Sequence, residues 1–211
     1  MTFRSPDASM KDNFREKGIV LQTGYHIAKG RNLHYAITGN DDLPTILFIH
    51  GSPGSWSAFE NYLKDSSLLR SYRMIAIDRP GFGYSDFGNV LHLKEQSALI
   101  GDLIQHRQNG HPFYLAGHSL GGPVAIQLAA DLPELINGLV ILAGSIDPAL
   151  EKPEKWRPFL ISTPLRFLVP GALRPSNEEL WYLKQDLIEL KNEFRKVTCP
   201  VYFIHGEKDS W

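Results

Sequence analysis

Apolar residues along this chain follow two rhythms. Residues 19–38 alternate apolar and polar positions around Gly30, with Tyr25-His26-Ile27-Ala28 before it and Leu33-His34-Tyr35-Ala36-Ile37-Thr38 after it. Alternation with period two on either side of a glycine predicts an antiparallel hairpin. Downstream the rhythm changes: residues 45–50 (TILFIH), 73–77 (RMIAI), 113–116 (FYLA), 138–142 (GLVIL) and 201–204 (VYFI) are short, nearly unbroken apolar runs. Runs of that kind suit strands buried on both faces of a parallel sheet. Helical spacing occupies residues 55–69, 91–108 and 123–132 between them. Strand–helix alternation predicts an α/β sheet with right-handed crossovers, helices on both faces and the hairpin leading.

One segment breaks the alternation. Residues 145–198 are too long for a simple crossover, carry prolines at 148, 153, 158, 164, 170 and 175, and turn helical from Ser176 to Lys196, with Ser176-Asn177-Glu178-Glu179 as the expected start. They read as a helical insertion over the carboxyl edge of the sheet, the edge at which open α/β sheets bind ligands. The expected organisation is an N-terminal extension over 1–18, the first part of the core over 19–144, the insertion over 145–198 and a return to the core over 199–211.

Composition narrows the function classes. At 211 residues and 43% hydrophobic, the chain can bury one sizeable core, so a single compact unit is expected. The 22 basic and 23 acidic residues are well mixed, which provides no electrostatic footprint for nucleic acid or an anionic membrane. The lone Cys199 has no thiol partner for a disulfide or a shared metal, so a reducing compartment and an inert, buried role are expected. No window approaches the ~18 uninterrupted apolar residues of a spanning helix. The first 18 residues are polar where a secretory signal would be apolar, so a cytoplasmic location is expected. No cofactor or metal is expected, and nothing in the pattern addresses the oligomeric state.

The chemistry is concentrated in Phe113-Tyr114-Leu115-Ala116-Gly117-His118-Ser119-Leu120-Gly121-Gly122, where a predicted strand ends and a predicted helix begins. Ser119 sits in the pattern G-x-S-x-G, whose glycines permit a turn so tight that a Cβ at either position would strike neighbouring backbone. The serine is then held strained and exposed as a nucleophile. The Leu120 amide, at a helix N-terminus, is placed to donate to an oxyanion beside Ser119. A second donor is expected from the loop His50-Gly51-Ser52-Pro53-Gly54; Pro53 has no N–H, which favours the amide of Ser52. His50 is expected to be structural, its ring bonded to the loop backbone.

With these residues in view the chain resembles the α/β-hydrolases that carry a helical cap. The matching motifs are HGSPG at 50–54, DRPGFGYS at 78–85, GHSLGG at 117–122 and HGEKD at 205–209, in the family's order, and the resemblance covers about residues 19 to 211. It implies that Asp209 is the acid that orients the catalytic histidine, with Asp147 the subordinate choice. It also implies a base in a Gly-His pair beyond one more strand and a closing helix. All eight histidines of this chain precede Asp209, so the expected base, last strand and helix lie past Trp211, and a chain cut before them is the expectation. His118 and His205 are expected to line the site, with His50 and Gly51, rather than replace the base. Relatives that open epoxides carry an aspartate at the elbow, which Ser119 argues against.

The implied function is a serine hydrolase that cleaves a carboxylic ester, or related acyl bond, of a small, apolar substrate through an acyl-enzyme intermediate. Trp156, Phe159, Phe167, Trp181 and Tyr182 supply either an apolar pocket wall or the cap's own packing. The competing reading is a non-catalytic relative that binds a ligand or protein in the same pocket.

Overall fold

The computed structural model describes residues 4–162 and 164–206. Seven strands form one sheet in the order β1-β2-β4-β3-β5-β6-β7. They are β1 (Gln22–Ala28), β2 (Arg31–Thr38), β3 (Thr45–Ile49), β4 (Arg73–Ile77), β5 (Phe113–His118), β6 (Gly138–Leu142) and β7 (Val201–Ile204). The leading hairpin is in register from Gln22 opposite Ile37 to Ala28 opposite Arg31, and β2 meets β4 antiparallel. From β4 onward every pairing is parallel.

The continuous apolar runs are explained by two covered faces. Along β3, Leu47 and Ile49 face one cluster and Phe48 the other; along β4, Ile75 and Ile77 oppose Met74 and Ala76. The first face is covered by α4 (Leu93–His106), α5 (Gly121–Asp131) and Leu183, Leu187 and Leu190 of α7 (Arg174–Glu193). The second face is covered by α1 (Asp7–Glu16) and by Trp56, Phe59 and Leu63.

Three differences from the sequence expectations have local causes. Residues 55–69 do not form one helix: a 3₁₀ turn (Trp56–Phe59) leads into α2 (Glu60–Leu63), and Asp65 then caps a separate α3 (Ser66–Leu69) by accepting from the Ser67 and Leu68 amides. The first 18 residues are more than an extension, since α1 buries Met10 and Phe14. Asp7 reaches the buried His34 ring, whose other nitrogen bonds Asp78. The long helix begins at Arg174-Pro175, and Ser176 and Asn177 are buried in its first turn. Proline fits there because the first helical N–H groups have no partner within the helix.

Between β6 and β7 the chain makes a long excursion through α6 (Arg157–Ile161), two short 3₁₀ turns, α7 and a further 3₁₀ turn (Phe194–Lys196). Among the described residues β1 and β7 are the two edges of the sheet, and Tyr202, Phe203 and Ile204 of β7 are exposed. Among the described residues no helix is long and apolar enough to cross a membrane.

Candidate active site

Ser119 follows β5 and precedes α5, with φ of +50°. A non-glycine residue held in the left-handed region costs about 1–2 kcal/mol, and surrounding structure must enforce it. Two close approaches do so. An ideal Cβ on Gly117 would collide with the Gly121 carbonyl, and one on Gly121 with the carbonyls of Ile49 and His50. The end of β5, the start of α5 and the end of β3 therefore lie against one another with no room for side chains. The Ser119 amide donates to Leu142 O at 2.9 Å, and its own carbonyl accepts from the Gly122 amide at 2.9 Å.

Ser119 walls a cavity of about 770 Å³ together with Ser52, His118, Leu120 and Ala143 from the strand ends and Lys152, Arg157, Leu180 and Leu183 from the excursion. That volume suits a small molecule. Glu151 and Glu154 also reach it, and burial pushes the Glu151 carboxyl upward against the opposing pull of Lys184. Trp156, Phe159, Phe167, Trp181 and Tyr182, for which the sequence leaves pocket wall and packing both open, are not among the residues lining this cavity. Trp156 lines a neighbouring hollow, and Phe159 and Phe167 are largely exposed. The excursion's share of the wall is instead Glu151, Lys152, Pro153, Glu154, Arg157, Leu180 and Leu183.

The HGSPG loop packs directly on the elbow. A Cβ on Gly51 would come within 2.9 Å of Ser119 Cβ. His50 is fully buried: its Nδ1 lies 2.6 Å from Gly51 O, and its Nε2 accepts from the Arg79 amide at 3.0 Å. Burial, then the Arg79 charge, hold it well below the usual imidazole pKa, so the ring is neutral, with its proton on Nδ1 donated to Gly51 O. His50 and Gly51 thus support the cavity from beneath and do not line it. Ser52 does line it. His205 follows β7, two positions from β5 in the sheet, and is not among the residues lining the cavity. Asp209 lies outside the described residues. Asp147 accepts from the Ala149 amide at 2.9 Å in a local turn.

The pattern reading missed a buried cluster beneath this loop. Arg79, Gln96 and Glu179 are almost fully buried, and Arg79 binds Glu179 through both terminal nitrogens. Arg79 stands inside the DRPGFGYS motif, but Glu179 is 100 residues away and no local pattern connects them. Away from the cavity, His26, Asp102 and His106 bring ligand-type atoms within 4.8 Å of one another, with His26 Nε2 2.5 Å from Asp102 Oδ2.

Comparison with known proteins agrees with this architecture. A family model described as alpha/beta hydrolase fold matches residues 44–169. Epoxide hydrolase 1 of Caenorhabditis elegans is 34% identical over 131 residues, 60% of this chain and 32% of that protein. The probable lysophospholipase BODYGUARD 3 of Arabidopsis thaliana is 33% identical over 153 residues, 69% of this chain and 30% of that protein. This chain therefore spans about a third of the length of each of these relatives. Among solved structures, Cfl2 from Burkholderia cenocepacia superposes with a TM-score of 0.68 over 88% of both chains at 20% identity, a likeness of fold.

Proposed function

From the premise that this chain belongs to the α/β-hydrolase fold family, and hence that it is built as a hydrolase, we propose that it supplies the nucleophile and oxyanion site of a serine hydrolase acting on a small carboxylic ester or related acyl compound. The observation that carries the reading is Ser119, held at φ +50° in the wall of a cavity large enough for a small molecule.

The nucleophile discriminates between the chemistries that the relatives' names suggest. A serine oxygen that attacked an epoxide carbon would form an ether, which water does not cleave, and the enzyme would stall after one turnover. Attack on an acyl carbon forms an ester, which a second attack by water releases. In this mechanism the Ser119 oxygen adds to the carbonyl, the Ser52 and Leu120 amides donate to the resulting oxyanion, and collapse expels the alcohol. A histidine oriented by Asp209 takes the serine proton and returns it to the leaving group. No histidine of residues 1–211 holds the family's position for that base, so this reading requires one supplied from outside those residues. The excursion acts as the cap, and Lys152, Arg157, Glu151 and Glu154 favour a substrate with polar as well as apolar parts.

The test compares the complete product of the reading frame with residues 1–211 alone, using p-nitrophenyl acetate and a fluorophosphonate probe. The complete product turns over the ester and labels at Ser119, and Ser119→Ala abolishes both. A short form as active as the complete product would assign the base to His118 or His205. Failure of the complete product to label, with a small ligand still bound in the cavity, would favour a binding protein.

A further inference from the structure

Arg79 joins three parts of the fold that are distant in sequence. Its Nη2 donates to Glu179 Oε2 at 2.9 Å and to Gly51 O at 3.1 Å. Its Nη1 donates to Gln96 Oε1 at 3.0 Å and to Glu179 Oε1. Gln96 Nε2 in turn donates to the same Glu179 oxygen at 3.1 Å and to Leu91 O at 2.9 Å. All four hydrogens on the terminal nitrogens are therefore used, and the network runs from α7 of the excursion through α4 to the HGSPG loop.

The Gly51 carbonyl is where the network ends. It accepts from His50 Nδ1 and from Arg79 Nη2, one for each lone pair. In a trans peptide the carbonyl of one residue and the N–H of the next point in opposite directions. Anchoring Gly51 O in the buried network therefore turns the Ser52 N–H the other way, toward the side on which Ser52 walls the cavity. The helix that carries Glu179 also contributes Leu180 and Leu183 to that cavity, so one element both contacts the substrate space and holds Arg79.

The geometry points to Arg79 and Glu179 as positioning residues: a buried strut through which the excursion aims the Ser52 amide at the oxyanion. This rests on the serine hydrolase reading and adds to it a dependence of transition-state stabilisation on docking of the excursion. Neither residue touches substrate. Their effect is on the orientation of one peptide plane, which matters most when negative charge develops on the carbonyl oxygen.

Two variants of the complete product separate this role from mere stability. Arg79→Lys keeps a cation for Glu179 but lacks the second fork that reaches Gly51 O. The double variant Arg79→Met with Glu179→Leu replaces a buried ion pair by apolar groups, a change that is often neutral for folding, and likewise leaves Gly51 O with one donor. For either variant that folds, loss of the strut lowers kcat by about 10- to 100-fold, less than the ~10²–10³ of losing an oxyanion donor outright, while KM changes less than about threefold. Amide hydrogen exchange over residues 50–54 reads the same positioning without turnover, and it should accelerate about tenfold or more in Arg79→Lys while α4 and β3 stay protected. Unchanged exchange in that loop overturns the strut whether or not the wild type cleaves esters. An unchanged kcat in a folded Arg79→Lys enzyme does the same. Loss of exchange protection in Arg79→Lys beside a wild type that proves inactive would support the strut and refute only the hydrolase reading.

Discussion

Replacing Ser119 by glycine should make the protein more stable while removing its proposed nucleophile. Ser119 has φ of +50°, where an L-residue with a Cβ loses about 1–2 kcal/mol that glycine does not. Glycine costs roughly 0.5–1 kcal/mol through the greater freedom of the unfolded chain. The difference is centred on a net gain of about 0.75 kcal/mol, between zero and ~1.5 kcal/mol at the extremes. At this chain length each kcal/mol moves the melting temperature by about 2–4 °C, so the expected rise is about 1–4 °C. Ser119→Ala is the necessary companion, because it removes the same hydroxyl but retains the Cβ and the strain. The assay is urea denaturation with thermal melting of wild type, Ser119→Ala and Ser119→Gly side by side, each also tested for ester turnover. Both variants should be inactive, and only the glycine variant should gain stability. A glycine variant no more stable than the alanine variant would mean that the neighbouring packing, rather than the left-handed backbone, sets the energy of this turn, and the strain argument would fall.

Ser52→Ala should leave activity within a few fold, because Ser52 Oγ has no hydrogen-bond partner among the described residues and the proposed donor is main chain; Ser52→Pro removes the N–H and should lower kcat by about 10²–10³, and equal losses would assign the role to the side chain. Phe14→Ala should cost about 3 kcal/mol in urea unfolding, since the ring is fully buried under the sheet; a loss below about 1 kcal/mol would mean that α1 does not hold this position in solution. Burial alone would lower the His34 pKa, but the Asp78 and Asp7 contacts outweigh it and raise it above the ordinary 6.5. Protonated His34 therefore contributes stability that is fully present below about pH 6.5 and is lost as pH rises through the higher folded value. Unfolding free energy measured from pH 5.5 to 9 should show that decline, and His34→Gln should flatten it.

How much of this was legible in advance depends on the range of the interaction. The hairpin and all five apolar strands were readable as strands because side-chain period and backbone pairing are local properties, although β7, expected to be buried on both faces, has Tyr202, Phe203 and Ile204 exposed at the edge of the described sheet. Ile75 and Met74 must leave opposite faces wherever the sheet lies. The elbow was readable for a similar reason. The glycines at 117 and 121 flank Ser119 within one turn, and the steric demand that selects them acts over a few residues. The break after Leu63 was less legible, since Asp65 fits a helical face as well as a cap until its neighbours' amides are placed. The charged cavity wall was not legible at all. Glu151, Lys152 and Glu154 stand in an irregular stretch before α6, where no periodic pattern says which side chains face inward.

Sequence by itself therefore determined the order of elements, the strained serine between its glycines, and the loop that supplies the candidate oxyanion amide. Each of these follows from short-range sterics and from which residues can bear burial. Tertiary structure alone decided that Arg79 meets Glu179, that His50 is neutral with its proton toward Gly51, and that α1 is part of the core. Such groups are buried with charge or polarity that only a distant partner can satisfy, and the identity of that partner depends on how the sheet brings separate segments together.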